Sequence, residues 1–269
     1  MRVKPVLAGI ALAAMAVTIP TVASAQVTAG QIDTFQDGTT DGWTAGGVGG
    51  NKFPPTPPFV MPTGGPAGTG DQFLVITSVG CPPSGCGDPS FPPGTGTPGA
   101  NLTAFNAFGQ WAGNYLGIAG ISMELENLGS TTLNIRLEVE DPGTAAVPTD
   151  SILSTVDAVL APGSGWQRVF FPTDDLSDWS TNVDGIYGFP PANAAYDLSN
   201  ATVLRIINAP TDASDFAPLV AQLGVDDIAA VPEPASILLL GAGLVGLVLA
   251  KRRRLVSTRL FRSAAGLLS

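Results

Sequence analysis

The sequence predicts an all-β protein, an antiparallel β-sandwich or jelly roll, and three observations carry that expectation. Residues 133–140, Leu-Asn-Ile-Arg-Leu-Glu-Val-Glu, alternate apolar and polar without a break, and residues 121–126 do nearly the same. Successive side chains of a strand point to opposite faces, so this period of two buries one face and leaves a charged one outside. The 33 glycines and 24 prolines cut the chain into short segments, which suits strands joined by turns. Between the two termini no stretch sustains an apolar stripe at helical spacing.

Residues 31–35 are the first strand candidate and run into Asp37-Gly38 and Asp41-Gly42, two tight-turn pairs. Residues 46–70 hold Pro54, Pro55, Pro57 and Pro58 among many glycines and read as a long surface loop, because proline cannot donate to a central ladder. Residues 72–78 return to strand character through Phe73, Val75 and Ile76. A second Pro/Gly-rich loop, residues 80–99, carries Cys81 and Cys86. The two alternating strands are separated by Gly129 and Ser130, the pattern of a hairpin turn. Residues 152–160, 166–171, 203–207 and 223–229 supply further strands, and residues 174–179 suffice for one helical turn. Eight or nine short strands over residues 26–230 fit one sandwich domain.

Both ends carry export signals. Arg2 and Lys4 precede an apolar stretch at residues 6–17, and Ala23-Ser24-Ala25 is a small-residue site for signal peptidase. Residues 1–25 are therefore read as a signal peptide with the mature chain starting at Gln26; an N-terminal anchor would need a longer apolar run. At the other end, Pro232-Glu233-Pro234 is followed by residues 235–250, which contain no charge, and then by Lys251, Arg252, Arg253 and Arg254. As a helix the uncharged run extends roughly 24 Å, somewhat under the ~30 Å hydrocarbon core. The basic cluster places its own end in the cytoplasm and the body outside. Residues 255–269, with Arg259 and Arg262, form a further basic tail.

This order of tripeptide, apolar run and basic cluster resembles the PEP-CTERM sorting signal of Gram-negative envelope proteins. The resemblance implies an inner-membrane intermediate, recognition by an exosortase, an integral membrane transpeptidase-like enzyme, and delivery to the surface or an exopolysaccharide matrix. A plain membrane anchor is the alternative, since topology alone would accept any apolar run beside positive charge.

With the terminal segments set aside, only Lys52, Arg136, Arg168 and Arg205 remain in residues 26–234, and these four bases against all 22 acids leave a formal charge of −18. Such a field repels nucleic acid and anionic lipid, so nucleic-acid binding is excluded. The chain has no histidine, which removes the usual general base of serine and cysteine hydrolases and the commonest transition-metal ligand. In an oxidising exported setting Cys81 and Cys86 are expected to close a small disulfide loop.

Within the body, F-Q-D-G-T-T-D-G-W from Phe35, Q-W-A-G-N-Y from Gln110, I-S-M-E-L-E-N from Ile121, G-S-G-W-Q-R-V from Gly163 and L-G-V-D-D-I from Leu223 resemble the galactose-binding jelly roll, in its laminin-B-like and discoidin-like forms. That resemblance implies one structural Ca²⁺ held by oxygen donors, here Asp33, Asp37 and Asp41 near the start and Asp226 or Asp227 near the end. The Asp-Gly pairs equally explain themselves as turns.

Paired carboxylates are the only catalytic candidates, namely Glu138 with Glu140, Asp174 with Asp175, and Asp226 with Asp227. Glu138 and Glu140 share a strand face at about glycosidase spacing, yet that face reads as solvated charge, and no enzyme is expected. For sugar stacking, Trp43, Trp111, Tyr115, Trp166 and Trp179 are the candidates. Trp166 reads as core, whereas Trp111 and Tyr115, beside Gly109 and Gly113, read as loop residues and are preferred. The expected function is a non-enzymatic exported matrix protein with a structural or adhesive role; a carbohydrate-binding module is the alternative.

Overall fold

The computed structural model describes residues 27–44, 57–80, 101–107, 109–141, 151–180, 193–211 and 218–233. The expected signal peptide, the Cys81–Cys86 disulfide, the apolar run at 235–250 and the basic residues Lys251, Arg252, Arg253 and Arg254 all lie outside them. Among the described residues no helix is long and apolar enough to cross a membrane.

The described chain forms β1 (Ile32–Asp33), β2 (Phe59–Met61), β3 (Phe73–Val79), β4 (Thr103–Ala107), β5 (Ile118–Asn127), β6 (Leu133–Glu140), β7 (Ser151–Ser154), β8 (Ala158–Leu160), β9 (Gln167–Pro172), β10 (Trp179–Ser180), α1 (Ala194–Ser199), β11 (Val203–Asn208) and β12 (Val220–Pro232). One sheet runs β2-β3-β12-β5-β9, with β1 beside β12; the other runs β10-β7-β6-β11-β4, with β8 beside β6. Every pair is antiparallel. The expected two-sheet sandwich is the architecture observed.

The alternating pattern explains the layering. Leu133, Ile135, Leu137 and Val139 of β6 join Leu204 and Ile206 of β11 on one inner face, opposite Ile121, Met123 and Leu125 of β5 and Leu223 and Val225 of β12. All of these are buried, and each fully buried aliphatic side chain contributes about 1.5–3 kcal/mol of hydrophobic stabilisation. The longest strand, β12, sits centrally. It pairs with β5 along one edge and with β3 and then β1 along the other.

Several local expectations change. Gly129 and Ser130 do not make a hairpin, because β5 and β6 lie in different sheets. The crossing is held by Asn127, whose Nδ2 donates to the carbonyls of Thr131 and Leu160 at 2.8 and 2.9 Å and whose Oδ1 accepts from Gly129 N at 3.0 Å. The 46–70 region is not all loop, since β2 forms there as an edge strand paired only with β3; edge strands tolerate the prolines just before it. Residues 152–160 divide into β7 and β8, both on the same edge of β6. Arg136 is fixed beside this break, donating to the carbonyls of Ser154 and Thr155 at 2.7 and 2.5 Å. The helical turn near residue 176 is present as a 3-10 turn, Leu176–Asp178, with Asp175 as its N-cap. The short helix α1, capped by Asn193, carries too few residues to show a stripe.

Candidate functional site

The preferred stacking pair is not on the surface. Trp111 and Tyr115 are both fully buried, and the reason is Asp33. Its Oδ2 accepts from the indole N–H groups of Trp43 at 2.8 Å and Trp111 at 2.7 Å, while Oδ1 accepts from the Gln110 side chain. The Tyr115 hydroxyl then donates to the Trp111 carbonyl at 2.5 Å. Asp33 is itself buried, which raises its pKa to about 6 against the opposing pull of the two indole donors, with Asp41 adding to the rise. A buried carboxylate surrounded by donors is an internal brace. Trp111 and Tyr115 therefore cannot stack on a sugar, and both Asp33 oxygens already accept hydrogen bonds from side chains.

Of the other expected calcium donors, Asp41 is near enough to act on the Asp33 charge. Asp37 closes its own turn, accepting from the Thr39 N–H and hydroxyl at 2.8 Å each, and Asp41 accepts from the same hydroxyl at 3.0 Å. Among the described residues no group of three or more acids or cysteines is arranged to hold a metal ion. Asp226 and Asp227 stand at an irregularity of β12, where the register against β5 shifts and Asp227 takes a left-handed φ of 49°. Burial pushes Asp226 to about pKa 7, with Asp227, Asp71 and Glu124 adding to the rise. Asp227 is raised by burial, Asp71 and Glu124, against Arg168.

Glu138 and Glu140 are not a solvated face either. Arg205 lies across the strand from Glu138 and reaches both acids, with Nε at 3.4 Å from Glu138 Oε2 and both Nε and Nη2 at 2.5 Å from Glu140 Oε1. Its guanidinium also sits 5.2 Å from the Phe105 ring centroid. Glu138 is buried and its pKa raised, chiefly by desolvation, with Arg205 opposing. Buried charges persist only when paired. Both acids of the glycosidase-like pair are thus engaged by one arginine.

The outer face of the first sheet offers a different site. Gly163 and Gly165 take positive φ values of 69° and 72°, a turn that swings Trp166 back across the sheet just before β9 begins. The indole N–H donates to the Gly64 carbonyl at 3.0 Å, and the ring meets Phe73 edge to face with centroids 5.1 Å apart. Beneath it lies Gly224 of β12. A β-carbon there would come within 2.9 Å of the Trp166 ring and 3.3 Å of Phe73, so only glycine admits the indole. Trp43, Trp111 and Trp179 are buried, whereas Trp166 keeps part of its surface in solvent.

Polar groups stand at nearby register positions. Gly224 pairs in register with Glu126, and Asp226 with Glu124, which in turn faces Arg168 of β9. Arg168 Nε donates to Glu124 Oε1 at 2.8 Å. Gln222, two residues before Gly224 on β12, is exposed. Burial raises the Glu126 pKa. A fixed, partly open aromatic ring thus shares its sheet with two glutamates, an arginine and an amide. Sequence reading placed Trp166 in the core and missed this; the usable signal was the Gly-Ser-Gly turn before it and the glycine in β12.

Residues 230–254 match the PEP-CTERM protein-sorting motif. No protein of curated function matches the chain. Among solved structures the chain is similar to a family 11 carbohydrate-binding module from Clostridium thermocellum in complex with a mixed-linked tetrasaccharide, at 14% identity and TM-score 0.48 over 76% of this chain and 97% of that one. It is also similar to a xylan-binding domain from Paenibacillus barcinonensis, at 16% identity and TM-score 0.43 over 76% and 97% of the two chains. A family 30 carbohydrate-binding module from Clostridium thermocellum is similar at 13% identity and TM-score 0.38 over 78% and 98%.

Proposed function

We propose that this chain is an exported envelope protein, delivered through its C-terminal sorting motif to an exosortase, whose sandwich binds a neutral polysaccharide at Trp166 without catalysing a reaction. The observation that carries the binding part is the state of Trp166. It is the one tryptophan of four left partly open, and it is fixed by Gly64, Phe73 and Gly224 before any ligand arrives. A preorganised aromatic face offers apolar area for the C–H face of a pyranose, and Glu124, Glu126, Arg168 and Gln222 on the same sheet offer partners for its hydroxyls. The acidic body favours an uncharged polymer over an anionic one. Absence of catalysis is supported by the lack of histidine and by the hold of Arg205 on Glu138 and Glu140.

A glycan array probed with the purified mature protein tests this. Trp166→Ala is expected to weaken binding to the retained glycan at least tenfold, about 1.4 kcal/mol, with the fold preserved. A blank array with the natural protein would remove the saccharide and leave a structural or adhesive role in the matrix, which the acidic sandwich and its sorting motif also suit.

A further inference from the structure

The sorting motif and the fold overlap. The matched motif begins at residue 230, while β12 continues to Pro232 and stays paired with β5 at this end, Val231 opposite Gly120 and, past a shift of register, Pro232 opposite Ile118. Ala230 is the last residue gripped on both edges. Its N–H donates to the Gln31 carbonyl at 2.9 Å and its carbonyl accepts from Gly30 N at 2.7 Å, and its side chain is buried. Val231 and Pro232 are partly open, and their only strand partner is β5. Proline has no N–H, so Pro232 stops the ladder while opening the Pro-Glu-Pro tripeptide. From Pro232 to the uncharged run at Ala235 the chain advances three residues, at most about 10 Å.

The sandwich therefore reaches the sorting motif with no spacer. An enzyme that cuts and transfers a peptide takes its substrate as an extended strand whose edges are free to pair within the cleft. Two residues before Glu233 are still held by β5. We propose that the body throttles its own processing: Val231 and Pro232 must unzip from β5 before the sorting enzyme can seat the motif, and the double grip on Ala230 stops the unzipping there. Processing breaks one peptide bond C-terminal to Ala230. The acyl side, joined to the body, passes to the enzyme nucleophile and then to water or an amine; the amine side takes up a proton and leaves with the tail. The mature protein keeps the whole of β12 up to its last buried side chain. Opening of a strand end held on a single edge is a low-cost local event, so the step is a brake and not a block.

This inference rests on the exosortase reading above, and the test separates the two. Full-length chain is expressed in cells carrying the sorting enzyme, and conversion to the mature form is followed by pulse-chase. A six-residue Gly/Ser spacer between Ala230 and Val231 is expected to speed conversion at least threefold, and Val231→Gly, which loosens the β5 pairing without an insertion, moves it the same way. Conversion at the natural rate in both variants overturns the brake. Glu233→Ala is expected to stop conversion in the natural and the spacer chains alike. Unchanged conversion in the Glu233→Ala chains instead removes the sorting reading, and the brake with it.

Discussion

Asp33→Ala lowers the unfolding free energy of the sandwich by about 3–5 kcal/mol, because it leaves the buried indole N–H groups of Trp43 and Trp111 and the amide of Gln110 without their shared acceptor. The loss radiates through the core, since Trp43, Trp111 and Tyr115 are among the largest fully buried side chains. Asp33→Asn retains one carbonyl oxygen for the two indoles but turns an amide N–H₂ towards Gln110, and is expected to cost about 1–2 kcal/mol. Urea denaturation of the mature protein measures both. An alanine variant within about 1 kcal/mol of the natural protein would show that the indoles find other acceptors and that Asp33 is not the brace described.

The second large effect is a gain of thermal stability in mild acid. Asp33 and Asp226 titrate near pKa 6 and 7 in the fold, against an ordinary value of 3.8, and Glu138 is raised in the same direction. An acid whose pKa is raised by folding binds its proton more tightly in the native state. Its contribution is fully present below the unfolded value and is lost as pH rises through the folded one, here between about pH 4 and pH 7. The formal charge of −18 on residues 26–234, four bases against 22 acids, adds self-repulsion that grows over the same range. Unfolding temperatures are therefore expected to be higher at pH 5 than at pH 8 by roughly 2 kcal/mol of stability, or about 4–8 °C. A melting temperature that rose from pH 5 to pH 8 would contradict a burial of these acids strong enough to outweigh the donors around them.

How far the sequence discloses this protein differs between levels. The alternation at Leu133–Glu140 locates β6 to the residue, because a half-buried strand has one period and the pattern is unbroken. The same alternation misleads about the other face: Arg136, Glu138 and Glu140 look solvated, but Arg205 reaches Glu138 and Glu140 from β11, 65 residues beyond Glu140, and Arg136 and Glu138 are buried. Long-range pairing of this kind leaves no local mark. Gly129 illustrates a related limit, since a turn signal between two strands reads identically whether the strands pair or part into two sheets, and it is Asn127 that holds the parting. For the tryptophans, flanking glycines suggested loops at Trp111. Burial was decided instead by the distant Asp33, and at Trp166 by Gly224 in another strand. The sorting motif was legible because it is contiguous, with its recognition chemistry set out along the chain in order.

Compartment-resolved mass spectrometry of the mature protein, from cells with and without the sorting enzyme, tests the central claim most directly. With the enzyme present, the chain is expected in the outer envelope or matrix fraction, starting at Gln26 and ending within residues 231–234; without it, a chain still carrying residues 235–250 stays in the inner membrane. A body that remains joined to residues 235–250 in the inner membrane when the enzyme is present would make the C-terminal segment an anchor and contradict the account.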